Sequence, residues 1–127
     1  MYKVNGKEYQ CSITIFQDIF NDKWKMGIIW HLMDGEKRYK ELHKEVCDIT
    51  QKTLTVKLRE LEEYKIITRE VFAEVPLKVV YTLSPIGEKL RPVLKEMFDW
   101  GVTYVQECGE ILGTSISELH LAEQNED

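Results

Sequence analysis

A mostly α-helical domain with a small β-hairpin, the winged helix-turn-helix class, is what this 127-residue sequence predicts. Three features predict it. Leu54, Leu58 and Leu61 recur at i, i+4 and i+7 behind Thr50, which is one apolar stripe on one helix. A short, polar-faced helical segment stands just ahead of it, so two helices flank a tight turn. Two segments follow at once, ITREVFAEV and VVYTL, in which the period changes from 3.6 to 2, as a hairpin requires.

The elements run in a definite order. Residues 1–10 lack a clear pattern and are expected to form a flexible N-terminal arm. SITIFQDIF predicts a short helix with Ile15, Phe16, Ile19 and Phe20 on one side. KWKMGIIWHLMDG places Trp24, Ile28 and Leu32 at helical spacing, and Gly35 is its stop. A turn or brief strand at residues 37–39 leads into KELHKEV, anchored by Leu42 and Val46. Thr50 is a good N-cap for the leucine helix, although Thr53 offers no Glu or Gln to complete a capping box. The two strands are joined through Pro76, which places an exposed tip there. Ser84 then caps a final helix with Pro85 at its first position.

That last helix carries a seam. Leu90, Leu94, Met97, Gly101, Tyr104, Cys108 and Ile111 are spaced 4-3-4-3-4-3, the a/d repeat of helices that pair. The seam favours dimerisation over a helix that only caps its own core. One domain is expected over residues 11–113, including this dimerisation helix, followed by an acidic, polar tail over 114–127.

Composition narrows the functions. Hydrophobic residues make up 43% and charged residues 31%, the balance of a globular chain. No apolar run approaches the ~18 residues needed to cross a bilayer. The N-terminus lacks a signal peptide's apolar region, so a cytoplasmic protein is expected. Net charge is −5, but it is unevenly spread. Residues 1–83 hold 14 Lys+Arg against 13 Asp+Glu, and residues 84–127 hold 3 against 9. The leucine helix therefore sits in a nearly neutral segment, free to carry a local basic face. Gly-rich phosphate loops, GxSxG, HExxH and a Ser/His/Asp grouping are all missing, so the chain is not expected to be an enzyme. No cofactor is implied.

With about 100° per residue, Lys52, Val56 and Arg59 lie opposite the leucines, flanked by Thr53 and Thr55. In a helix-turn-helix the second helix enters the major groove by its N-terminal half. The residue types suit that position. Gln51 can pair with adenine, Arg59 or Lys52 can reach guanine or phosphate, and threonine can donate a hydrogen bond or touch a thymine methyl. Arg38 and Lys40, with Lys37, are placed to hold phosphate where the motif begins, and Lys78 with Arg69 extends that surface on the wing. Lys57 and Lys65 are expected to pair with Glu60, Glu62 and Glu63. Those glutamates would repel DNA from the helix's far end.

The combination of motifs is specific. Cys11, DKWKMGIIWHLMDGEKRYKEL, ITQKTLTVKLRELEEYKII, REVFAEVPLKVVYTLSPIGEKL and FDWG together resemble the HxlR-type family of MarR-like winged-helix transcriptional regulators, over roughly residues 11–105. The resemblance implies a homodimer on inverted-repeat operators of double-stranded DNA. It implies that the leucine helix reads DNA and that Glu74 to Lys78 form the wing tip. It also implies a dimer interface built from the first and last helices, which adds Ile15 and Ile19 to the seam residues. In some members that resemble this chain, the cysteine matching Cys11 senses oxidants or electrophiles. Two departures stand out: Ser12 follows Cys11 where proline is frequent, and Asn21 and Asp22 replace glycines. Both fall near the sensing region and leave the effector more open than the DNA reading.

Other readings remain at this stage. Cys11 precedes a helix whose terminal amides can favour a thiolate, so it is the candidate thiol sensor; the bland alternative is an unreactive exposed thiol. Cys108 on the seam reads as a small packing residue. His43 and Cys47, four apart, make half a metal site with no further ligands, so no metal is expected. Trp24, Trp30 and Trp100 read as core more readily than as a ligand pocket, and His31 as a packing residue. A winged helix can also serve as a protein-interaction module, and metal-dependent repression is a nearer alternative.

Overall fold

Leu54, Leu58 and Leu61 are essentially buried, together with Ile28, Ile29, Leu32, Leu42 and Ile67, and these side chains form the core. The structure is a computed structural model that describes residues 1–113. The chain divides into two compact units, residues 1–88 and 89–127.

The first unit holds nearly all the elements. A hairpin of β1 (Tyr2–Val4) and β2 (Lys7–Tyr9) opens the chain. Helices α1 (Ser12–Ile19), α2 (Lys25–Leu32), α3 (Tyr39–Glu45) and α4 (Gln51–Glu63) follow. Strands β3 (Ile67–Phe72) and β4 (Lys78–Leu83) form the wing, antiparallel with Ile67 opposite Leu83 and Phe72 opposite Lys78. The turn at residues 37–39 is a bridge to this sheet: Lys37 and Tyr81 exchange both backbone hydrogen bonds, at 3.0 and 2.8 Å. It ties the start of α3 to the wing.

The leucine helix starts as its sequence predicts. Thr50 Oγ1 accepts the Thr53 N–H at 3.1 Å and lies 3.0 Å from Thr53 Oγ1. The helix stops without glycine, because Lys65 takes a left-handed φ of +64°. There the Ile66 N–H reaches the Leu61 carbonyl at 3.0 Å. After the wing, the short helix α5 (Pro85–Glu88) is capped by Ser84, whose Oγ accepts the Gly87 N–H at 3.1 Å. Gly87 packs so tightly that a Cβ there would collide with the Ile66 carbonyl oxygen.

Two expectations need correction. Residues 1–10 do not form a loose arm. Asn5 and Gly6 adopt φ of +46° and +83°, the left-handed pair that a two-residue hairpin turn requires. Tyr9, 8% exposed, donates to Asp18 Oδ2 on α1 at 2.8 Å, and Lys7 Nζ lies 2.6 Å from the same oxygen. The hairpin is therefore pinned to α1.

Nor is the C-terminal helix continuous from Pro85. In the second unit, α6 runs Arg91–Cys108, separate from α5. Pro92 explains the break: a proline inside a helix lacks an N–H and clashes with the carbonyl four residues back, here that of Glu88. Gly109 ends α6 in an extended conformation, so Ile111 lies beyond the helix and off its seam. Cys108 is exposed rather than packed, and Trp100 is 68% exposed. Leu94 is 4% exposed. The acidic tail after Gly113 lies outside the described residues. Among the described residues, no helix is long and apolar enough to cross a membrane.

Candidate nucleic-acid interface

The exposed side of α4 is set by the leucines it turns away from. With Leu54, Leu58 and Leu61 inward, Gln51, Lys52, Thr55, Val56 and Arg59 are all exposed and Thr53 is half-buried. Arg38, the N-cap of α3, and Lys40 in its first turn are exposed as well. Arg38 holds its place through its backbone N–H, which donates to Glu41 Oε1 at 3.0 Å, so its guanidinium is not needed for the cap.

Salt bridges sort the cations into two groups. Lys25, 3% exposed, is bound to Glu60 at 2.6 Å, to Asp22 at 3.3 Å and to the Ile19 carbonyl at 3.0 Å. Lys57 lies 3.3 Å from Asp22 and 3.7 Å from Glu60, and Lys37 lies 2.9 Å from Glu45. Among the described residues, Arg38, Lys40, Lys52, Arg59 and Lys78 make no salt bridge. A cation whose charge is already met inside the fold contributes little to an outside anion. The unpaired group remains available to phosphate.

This sorting corrects three readings. Lys37 belongs to the fold and not to a phosphate site. Glu60 does not repel ligands from the helix end, since Lys25 and Lys57 neutralise it; Glu62 and Glu63 remain exposed there. The half metal site also dissolves. Helix α3 ends at Glu45 and Val46 is extended, so Cys47 leaves the face that holds His43. Among the described residues, no three His, Cys, Asp or Glu side chains gather as a metal would need. His31, on the inner side, has Nδ1 3.8 Å from Glu45 Oε2.

The electrostatics follow the same division. Burial works against Asp22's charge, but the N–H groups of Lys25 and Trp24 and the Lys57 ammonium outweigh it, so its pKa falls below the usual value. Burial likewise disfavours the Lys25 charge, and contact with Glu60 and Asp22 more than restores it. Both groups are thus fixed in their charged forms around neutrality.

The wing has an apolar tip. The loop between β3 and β4 exposes Val75 and Leu77, with Glu74 as its one charge. The wing's cations lie on its strands: Arg69 is exposed on β3, and Lys78 on β4 is half-buried with Nζ 5.2 Å from the Phe72 ring centre. A residue that sequence reasoning passed over joins the two helices. Tyr39 Oη lies 2.8 Å from the Gln51 carbonyl and 3.0 Å from Thr55 Oγ1. The signal for it was an aromatic at the start of an otherwise polar short helix.

Cys11 is exposed at the N-cap of α1, and its side chain makes no cap hydrogen bond. Cys47 and Cys108 are exposed too. On α6, Val93, Met97, Trp100 and Tyr104 make an exposed apolar stripe, with Trp100 stacked on Tyr104 at 5.2 Å. Pro92, Val93, Glu96, Met97 and Trp100 line a shallow groove along it.

Residues 19–108 match the profile described as HxlR-like helix-turn-helix. YdeP of Bacillus subtilis strain 168, an HTH-type transcriptional regulator, is 46% identical over 94 residues, covering 74% of this chain and 73% of YdeP. The redox regulator HypR in its oxidized form superposes with a TM-score of 0.69 at 40% identity, covering 73% of this chain and 96% of HypR. The reduced form of the transcriptional regulator YodB from B. subtilis gives a TM-score of 0.66 at 38% identity, covering 79% and 96%. The diamide-treated form of YodB gives 0.60 at 35% identity, covering 82% of this chain and 100% of that one.

Proposed function

The chain belongs to the HxlR-like helix-turn-helix family of transcriptional regulators, and from that premise we propose that it acts as a homodimer on inverted-repeat operators. Each protomer sets the first half of α4 in a major groove, with Gln51, Lys52, Thr53, Thr55, Val56 and Arg59 toward the bases and Arg38 and Lys40 on the phosphates. The wing lies along the flanking backbone, held by Lys78. Two-fold symmetry then sets half-sites about one helical turn apart, roughly 10 base pairs, or a multiple of it. The observation that carries this reading is that the buried or part-buried cations of the motif, Lys25, Lys37 and Lys57, are paired, whereas Arg38, Lys40, Lys52 and Arg59, exposed on α3 and α4, make no salt bridge among the described residues.

Binding selection from random duplex DNA, followed by a salt titration on the enriched sequence, tests it. Three unpaired cations on phosphate in each protomer, Arg38, Lys40 and Lys78, predict a slope of log affinity against log salt of roughly −5 for a dimer. Absence of any enriched sequence, or a nearly flat slope, would count against DNA reading and favour a protein-binding role for the winged helix.

Dimerisation is assigned to α1 and α6. The exposed stripe of α6, and not Leu94, is the place to test it, because a substitution at the buried Leu94 disturbs the fold itself. Met97→Asp puts a charge in the middle of the stripe. The variant should sediment as a monomer and bind the operator at least ~10-fold more weakly, since linked half-sites are no longer engaged together. A Met97→Asp protein that still sediments as a dimer removes α6 from the interface.

Regulation is assigned to Cys11. HypR is a redox regulator and YodB was treated with diamide; here the exposed thiol at the start of α1 supports a similar response. Diamide takes two hydrogen atoms from two thiols as they join in a disulfide. Diamide should change operator affinity in the wild type and not in Cys11→Ser, as read by gel shift. Such a signal works only by favouring one arrangement of the two α4 helices over another. An equal response in both proteins places the sensor elsewhere.

A further inference from the structure

Tyr39, the first residue of α3, reaches across to the opening turn of α4. Its hydroxyl oxygen lies 2.8 Å from the Gln51 carbonyl and 3.0 Å from Thr55 Oγ1, and Thr55 Oγ1 lies 2.9 Å from the same carbonyl. The ring is held nearly parallel to His43, one turn along α3, with centroids 6.4 Å apart and 8° between planes. Three oxygens thus form a closed triangle between the two helices of the motif.

Counting protons shows what the triangle does. Tyr39 and Thr55 have one hydroxyl proton each, and the Gln51 carbonyl only accepts. Both hydroxyls can donate to the carbonyl, which accepts two; or one donates to the carbonyl while the other donates to its hydroxyl partner. Both protons are used in every arrangement. Thr55 Oγ1 is held between Tyr39 and the carbonyl four residues back on its own helix, which leaves the methyl as the one group of the side chain with no bond to keep it inward. Thr55 is exposed, so that methyl is what it offers to a ligand.

We propose that Tyr39 is a positioning residue for DNA reading: its hydroxyl fixes the first turn of α4 against α3 and occupies the Thr55 hydroxyl, so Thr55 reads thymine by its methyl group and not by donation. This rests on α4 being the DNA-reading helix. It reassigns Thr55 from a polar reader to an apolar one, and it gives Tyr39 a role in specificity without contact to a base. Thymine alone presents a methyl in the major groove, so the prediction is directional.

The test compares full-length wild type, Tyr39→Phe and Thr55→Val on the duplex enriched by binding selection and on a scrambled duplex. Tyr39→Phe loses one hydrogen bond that fixes the turn, and should bind the selected duplex about 5-fold more weakly. Its affinity for the scrambled duplex should not change, because every phosphate-binding cation is still in place. Amide exchange in the free protein should be faster at residues 52–55 in Tyr39→Phe, which reads the brace without DNA. Thr55→Val keeps the methyl, so repeated selection should return the same base at the position it touches. Equal weakening on both duplexes would make Tyr39 a direct phosphate ligand and overturn the proposal. Unchanged affinity with unchanged exchange overturns it as well, and so does a changed base preference in Thr55→Val. If wild type enriches no sequence, the DNA reading itself falls and takes this role with it. If wild type enriches a sequence and Tyr39→Phe matches it, only the brace falls.

Discussion

The double variant Lys52→Ala, Arg59→Ala is expected to bind the selected operator about 100-fold more weakly, taking ~1–3 kcal/mol for each base or phosphate interaction removed. Its melting temperature should stay within about 2–3 °C of the wild type, because surface substitutions away from a paired network usually fall within ±0.5 kcal/mol. Both halves of this expectation come from one observation. Lys52 and Arg59 are exposed and meet no carboxylate among the described residues, so the fold does not depend on their charges. Lys57 is the matched control from the same helix. It is tied to Asp22 and Glu60, so Lys57→Ala should cost stability while leaving operator affinity within a few-fold. The salt dependence separates the two side chains further: the slope falls by about one for each phosphate no longer neutralised, and removal of a base reader leaves it nearly unchanged. A double variant that melts well below the wild type would mean that the two side chains support the fold, and the reading of α4 would fail.

The fold was legible where a local pattern carries it. Three leucines in register place α4, the period change places the wing, and a threonine with a free hydroxyl places the cap. The N-terminal hairpin was legible too, and was passed over: Asn5-Gly6 is the strongest short-range turn signal, but the flanking strands are only three residues each. Strands that short barely show alternation. They are held by Asp18, which lies 9 and 11 residues from its partners. The break before α6 was hidden for another reason. Ser84-Pro85 is a good helix start, and it starts a helix of four residues. A heptad pattern read from Leu90 onward passes over Pro92 because proline is not one of its positions.

The site was legible as a list of residue types and not as a pattern of charge. Periodicity puts Lys57 and Arg59 on the same helix but cannot say which is spent. What decides it is Asp22, 35 residues away in the chain and brought beside Lys57 by the packing of the helices. Lys25 is the stronger case. In sequence it is one polar residue in an apolar helix, and among the described residues it is the most buried charge. Tyr39 was missed because its role lies in a hydroxyl, whereas the pattern records only that it is aromatic. On α6 the exposed apolar stripe runs through Val93, Met97, Trp100 and Tyr104, so the heptad reading shares Met97 and Tyr104 with it, whereas Leu94 is buried.

Lys25→Met should be the most destabilising of these substitutions at neutral pH. Removing one partner from a buried ion pair costs about 3–5 kcal/mol. Here Glu60 is partly exposed and Lys57 remains beside both carboxylates, which lowers the expected cost to about 2–3 kcal/mol, or roughly 10 °C in melting temperature for a domain of this size. The pH dependence identifies the cause. Asp22 has a pKa below its ordinary 3.8, so its contribution is present above that value and is lost as pH falls through the lower folded value. Lys25 has a pKa above its ordinary 10.5, so its contribution is present below that value and is lost as pH rises through the higher folded value. Between those limits Asp22 and Lys25 are both charged and the wild type gains from their contact. The gap in melting temperature between wild type and Lys25→Met should therefore be widest between those limits and narrow as the pH falls through the lowered folded value of Asp22, where its protonation removes charge that Lys25 balanced. Thermal melts across that range decide it. A gap that stays constant through the whole acid range would assign the loss to packing of the lysine's methylenes, and a gap near zero at pH 7 would show that Lys57 alone suffices for Asp22 and Glu60.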